Sequence, residues 1–224
     1  MKLLFHINFN TKYTMKYFLV VLLISLLASC SGRNAQTNID TTIVHYNITE
    51  GKPLSSKDWH IYNIDEDKIC IPEKWGFVKQ DDFFFMSDLS EVAAGSYFVV
   101  VKQDKKATGL SALKYLKKLY THLKQDSTEI LTGSQAIKLT YDDKEVIFSE
   151  YNILIGKDAY IMSSTIFEIG NNLYDIAFKI SQANADTYQE EYKNAVFNFY
   201  HNHIQLFKTK DEVKGAEIID LTKL

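Results

Sequence analysis

From Trp59 onward, short apolar runs alternate with polar punctuation. Residues 59–64 and 68–71 read as two strands around the acidic turn Asp65-Glu66-Asp67, and Pro72 closes the second. Residues 76–80 and 82–86 continue the strand-like pattern. The run 96–103 (SYFVVVKQ) is almost unbroken in apolar residues, the mark of an inner strand covered on both faces. Then the period changes. Leu110, Leu113, Leu116, Leu119, Tyr120 and Leu123 recur at helical spacing, which predicts a helix over 109–125 with Thr108 as its N-cap. Four more strands are predicted at 135–141, 145–155, 159–168 and 173–180. Asp142-Asp143-Lys144, Gly156-Lys157-Asp158 and Gly170-Asn171-Asn172 join them, links short enough for antiparallel hairpins. A second helix over 186–199 carries Tyr188, Tyr192, Ala195, Val196 and Phe199 on its apolar side, with Asn184 or Asp186 as cap. Residues 201–207 are a candidate last strand, and the charged tail 208–224 is expected to be partly loose. This order predicts an α+β fold: one antiparallel sheet of about six to seven strands flanked by two main helices, over residues 57–207.

Composition agrees. The chain is 46% hydrophobic and 13% aromatic with only 2 Pro and 9 Gly, enough for a real core and too ordered in pattern for a disordered segment. Its net charge is −3, and without Lys2, Lys12 and Lys16 of the leader it becomes −6, the wrong sign for a nucleic-acid binder.

Upstream lies a different pattern. Lys16 precedes an apolar stretch, Phe18 to Leu27, too short to span a bilayer and right for the core of a signal peptide. It ends in Leu27-Ala28-Ser29-Cys30. Order, spacing and position resemble the lipobox of bacterial lipoproteins. That resemblance implies cleavage before Cys30 and lipid on its thiol, with two or three acyl chains giving stable anchoring. Residues 1–14 lengthen the positive n-region awkwardly, and Met15 is the better initiator. No acidic run follows Cys30, and Ser31 stands at the next position, a combination that points to the outer membrane, facing the periplasm. Residues 30–56 are polar and read as a tether. With Cys30 lipidated, Cys70 is the single remaining thiol; it sits in an apolar run and reads as a buried core residue.

Chemistry-bearing motifs are few. Ser111-Ala112-Leu113-Lys114 matches S-x-x-K, but K-T-G and S-D-N runs are missing, so a solvated first helical turn is the better reading. His201-x-His203 offers half a metal site with nothing in sequence to complete it. Asn63-x-Asp65-x-Asp67 starts like a calcium loop, yet Lys68 stands where Gly is needed. The acid pairs 81–82, 142–143 and 190–191 are neighbours in sequence and fit turns or a helix start. The residues imply no catalytic centre, no metal and no cofactor. Two surfaces stand out: the aromatic run Phe83-Phe84-Phe85, and the lysine face Lys114, Lys117 and Lys118 with Lys105, Lys106 and Lys124. That face suits an anionic membrane or an acidic partner.

Three features together resemble the PsbP-like fold family, which includes DcrB-type envelope lipoproteins. They are Ile69-Cys70-Ile71-Pro72-Glu73-Lys74-Trp75, the leucine-striped helix after Phe98-Val99-Val100-Val101, and the hairpin series 136–180 followed by a helix ending in Phe197-Asn198-Phe199. Where the family carries a Ser-Phe pair near its end, this chain has Asn198-Phe199. The resemblance implies an α/β/α sandwich and an accessory, non-enzymatic role on another envelope protein. The alternative is a periplasmic binding module for a small hydrophobic or lipid-like ligand.

Overall fold

The computed structural model describes residues 59–80, 84–89, 91–141, 144–207 and 213–224. The leader, Cys30, the tether and Phe83 lie outside them, as do the acid pairs 81–82 and 142–143. Among the described residues no helix is long and apolar enough to cross a membrane.

The chain opens with β1 (Trp59–Ile64) and β2 (Asp67–Pro72), a tight hairpin whose turn holds Asp65 at φ +54°. A 3₁₀ turn over Glu73–Trp75 leads to β3 (Val78–Lys79), β4 (Phe84–Asp88) and β5 (Tyr97–Asp104). Two helices follow, α1 (Lys105–Thr108) and α2 (Ala112–Gln125). Then comes the meander β6 (Ile130–Tyr141), β7 (Lys144–Ile155), β8 (Asp158–Ile169) and β9 (Asn172–Ser181). Helix α3 (Ala185–Phe197), the short hairpin β10 (Tyr200–His201) and β11 (Ile204–Gln205), and β12 (Val213–Ile218) complete the order.

The α+β class holds, but the strands form two sheets rather than one. The large sheet has eight antiparallel strands in the order β12-β6-β7-β8-β9-β5-β4-β3, and the small one has four, β1-β2-β10-β11. The meander obeys hairpin logic, each strand pairing with the next. The opening hairpin leaves the main sheet because its inward residues Ile64, Ile69 and Ile71 pack across a shared core instead. Within the predicted tail, residues 213–218 form an ordered strand: β12 pairs along β6, from Val213 opposite Tyr141 to Ile218 opposite Ile137.

Period-2 alternation divides the large sheet into two faces. One carries Phe98, Val100, Phe148, Phe167, Tyr174 and Phe178, and is covered by α3 and the small sheet. The other carries Val99, Ile147, Tyr151, Met162 and Ala177, and is covered by α2. Strand β5 sits between β4 and β9 and feeds both cores, as its apolar run predicted. Across this second face, Ala136, Ser149, Ser164 and Ala177 are consecutive register partners on β6 to β9. Four small side chains in one row form a trough in which α2 can lie close to the sheet.

Two details of the helices differ from the sequence reading. Thr108 does not cap α2. It ends the short α1, Gly109 follows at φ +67°, and Ser111 is the cap, its Oγ accepting from the Lys114 N–H at 3.4 Å. Gly109 takes the left-handed conformation that stops α1, so the helix predicted from 109 begins at Ala112, and the short α1 before it is an additional turn. Leu113 is not on the buried stripe; it is 48% exposed, while Leu116 and Leu123 are buried.

Candidate functional site

Among the described residues, buried polar clusters at Asp67 and Asp175 and two surfaces beside α2 are the candidates for function. The first cluster joins the sheets. Asp67 is wholly buried at the start of β2. Its carboxylate accepts from the Tyr174 hydroxyl at 2.8 Å, lies 3.1 Å from the Lys102 ammonium and contacts His201 Nδ1 at 2.7 Å. Lys102 also reaches Glu66 at 2.9 Å and Asp65 at 3.7 Å. Burial works to lower the Lys102 pKa, but its hydrogen bonds to Glu66 and Asp67 leave it raised. The Glu66 carboxyl is held below its usual range, chiefly by the hydrogen bond from Lys102.

Glu66, Asp67 and His201 could together offer three ligand atoms to a cation, all within 4.8 Å of one another. The Lys102 ammonium already stands against both carboxylates and offsets one of their two negative charges from within the fold. The cluster is a cross-sheet brace. His201 belongs to it, while His203 sits exposed in the adjoining turn at φ +66°, so the two imidazoles do not act as a pair.

The second cluster lies beneath α2. Asp175 on β9 is buried; Ser164 Oγ donates to it at 2.5 Å and the Tyr115 hydroxyl at 3.0 Å. Burial pushes its carboxyl up to about 6, against the pull of those two hydrogen bonds. The consequence is a definite pH dependence. A folded pKa above the unfolded one means the native state binds the proton more tightly. Stability from this group is therefore fullest at low pH and is lost as pH rises from the unfolded value toward 6. The loss is roughly 3 kcal/mol at most, by 1.36 kcal/mol per unit. Urea unfolding of Asp175→Asn and the unsubstituted protein between pH 4 and 7 checks it: the difference between them should change over that window and be flat above it.

Farther along the same face, Lys179 is buried and pairs with Glu129 at 2.5 Å, its ammonium 5.1 Å from the centre of the Tyr97 ring.

The first surface is a groove of about 940 Å³ at the end of the large sheet where α2 begins. Leu113, Ile147, Ile169, Leu206, Ile218 and Leu224 give it apolar walls; Lys138, Lys144, Glu145, Glu168 and Glu217 give it charge. It is neither enclosed nor flat. Glu168 accepts from the Ala112 N–H and from Lys105 Nζ, both at 2.6 Å. Burial pushes its carboxyl up, and those two donors overcome that and leave it lowered. The carboxylate thus serves the positive end of α2. The S-x-x-K motif sits at this rim and is a helix start. Ser111 Oγ caps, and Lys114 Nζ donates to the Gly109 carbonyl at 3.3 Å.

The second surface is the outer side of α2. Lys114, Lys117, Lys118 and Lys124 are exposed, and the helix contains no acid. Of the aromatic run, Phe84 and Phe85 lie in a strand, as the pattern over 82–86 predicts. They belong to β4, opposite Val101 and Val100, so their backbone is committed to the sheet. Cys70 is buried as expected, and burial pushes its thiol up, away from reactivity.

The groove was not legible in sequence, because residues 111–113, 144–147, 168–170 and 217–224 meet there only after folding. Asp67, Lys102 and Asp175 were also missed as polar core residues. For two of them the one signal was a charge set inside an apolar run, Lys102 in SYFVVVKQ and Asp175 in LYDIAFKI, whereas Asp67 stood in an acidic turn and gave none.

No protein-family model and no curated protein matches the chain. Among solved structures, it is similar to cyanobacterial PsbP (CyanoP) from Synechocystis sp. PCC 6803, with 16% identity and a TM-score of 0.47 over 67% of this chain and 96% of that one. It is similar to PA94, a Pseudomonas aeruginosa protein of unknown function, with 14% identity and a TM-score of 0.40 over 61% and 92%. A Bacteroides thetaiotaomicron protein matches with 13% identity and a TM-score of 0.40 over 64% of this chain and 48% of that one. Likenesses of this order carry no functional argument.

Proposed function

We propose that this chain is a cell-envelope lipoprotein, held by lipid on Cys30 at the outer membrane and facing the periplasm, whose α+β domain is a non-enzymatic interaction module. The observation that carries the second half is the groove at the start of α2. It is open, it exposes Leu113 and Ile218 at 48% and 54%, and charges of both signs ring it. Such a mix of apolar wall and polar rim suits a protein segment. The buried ionisable residues Asp67, Lys102, Asp175 and Lys179 are spent on internal pairs, which fits a scaffold that presents a surface.

Two experiments test the halves separately. Metabolic labelling with a fatty-acid probe should mark the protein and fail in Cys30→Ala; label persisting in that variant refutes the anchor. Crosslinked pull-down of the tagged full chain from envelope extracts should recover one recurrent partner. Leu113→Asp should weaken that recovery about tenfold, as loss of a central apolar contact does. A partner retained in full by Leu113→Asp rules out the groove.

The groove's volume and apolar walls also favour a second reading, a binding module for a small hydrophobic or lipid-like molecule. Native mass spectrometry of protein released without detergent distinguishes it, since only this reading expects a bound mass.

A further inference from the structure

The outer face of α2 is arranged against its own stability. Lys114 stands three and four residues before Lys117 and Lys118, so like charges meet at both helical spacings, and each such pair destabilises a helix. Lys114 is also in the first turn, where the macrodipole disfavours a cation. Not one acid lies on the helix, although the chain as a whole is acidic, with net charge −3. None of the three ammonium groups forms an ion pair with a described residue; the only side-chain contact among them is Lys114 with the Gly109 carbonyl. The lysines project from the side of α2 opposite Leu116 and Leu123, which are buried against the sheet, so core packing does not require them.

From this we infer that the Lys114–Lys117–Lys118 face of α2 docks on an anionic bilayer surface. Negative lipid headgroups would relieve the repulsion that the fold itself leaves standing, and Lys124 extends the face along the helix. The inference rests on the lipid anchor in one respect: the anchor keeps the bilayer within reach. About 29 residues separate Cys30 from Trp59, roughly 95 Å at full extension, so the domain can lie on the membrane that holds it.

The test uses the full mature lipoprotein purified from membranes. It is reconstituted into neutral phosphatidylcholine vesicles or into vesicles with roughly 30% phosphatidylglycerol. Flotation reads the anchor. Acetylation of each lysine, followed by mass spectrometry, reads the face. In anionic vesicles Lys114, Lys117 and Lys118 should react several-fold more slowly than in neutral ones, while exposed Lys157 is unchanged. About 0.5 M NaCl, where the screening length falls to roughly 4 Å, should restore their rates.

A triple charge reversal, Lys114→Glu, Lys117→Glu and Lys118→Glu, should abolish the difference between the vesicles. It should also melt no lower than the unsubstituted protein, because the mutual repulsion keeps the same size while an acid at position 114, in the first turn, complements the helix dipole. Each lysine contributes about fivefold to partitioning, so the three together contribute on the order of a hundredfold. Equal acetylation in both vesicle types, with the protein floating in both, overturns the docking face and leaves the anchor standing. Flotation with anionic vesicles alone supports the face and refutes the anchor. Protection that appears only when an envelope protein is added assigns the face to an acidic protein and overturns the membrane reading.

Discussion

Asp67→Ala is expected to lower the unfolding free energy by about 3–5 kcal/mol, the range for removing one member of a buried ion pair. The carboxylate is wholly inaccessible and holds three groups at once: the Tyr174 hydroxyl on β9, the Lys102 ammonium on β5 and the His201 imidazole on β10. Its loss leaves a phenol without its buried acceptor and an ammonium, itself 9% exposed by residue, with one close partner fewer. Asp67→Asn keeps the shape and one acceptor and should cost about half as much. Asp65→Asn is the control, since Asn also tolerates the left-handed backbone at φ +54°. That carboxylate touches the same lysine at 3.7 Å but its side chain is 61% exposed, so its removal should stay within about 0.5 kcal/mol. Urea midpoints with unchanged slopes decide the matter. A cost under about 1 kcal/mol for Asp67→Ala would show that the two sheets are held by apolar packing alone.

The second large effect is expected at Phe167. Its ring is buried on β8 at the centre of an aromatic cluster: stacked on Tyr174 at 5.3 Å, and edge-on to Phe199 at 5.4 Å and Phe207 at 5.8 Å. Phe167→Ala should cost about 3–5 kcal/mol from lost transfer and the cavity left behind. Phe167→Leu, which fills most of the space, should cost under about 2 kcal/mol. Because Phe199 and Phe207 flank the β10–β11 hairpin, the damage should be local first. Amide hydrogen exchange in 200–205 should accelerate before exchange in the middle of β8 does. Uniform acceleration would mean the cluster supports the whole sheet and not the hairpin in particular.

Both effects fall on contacts between layers, and layers are where sequence reading stops. The meander was readable because each of its strands pairs with the next, and turn chemistry at Gly156 and Gly170 is local information. Its first strand begins at Ile130, earlier than predicted, because Thr132, Gly133 and Ser134 break the apolar alternation while a register shift near Gly133 keeps the pairing. β12 was missed for a similar reason. A six-residue segment containing a glycine and charges has no alternation of its own, and only the free edge of β6 makes it a strand. Thr108 and Ser111 are both plausible caps. What chooses between them is Gly109 ending α1 in the left-handed region, together with Glu168 arriving from β8 to take the Ala112 N–H.

By itself, then, the sequence determined the α+β class, the hairpin meander, the position of both long helices and the lysine face. These follow from periodicity and turn chemistry, which act between near neighbours. It also carries the whole case for the anchor, since Leu27-Ala28-Ser29-Cys30 is a linear motif that needs no fold. Only the tertiary structure decided that the strands divide into two sheets. It also decided that Asp67, Lys102, Tyr174 and His201 brace them, and that one groove gathers six separate stretches of chain where α2 begins. These depend on residues up to 134 positions apart, as His201 is from Asp67. Their meeting is set by burial of the shared core, and no local pattern records it.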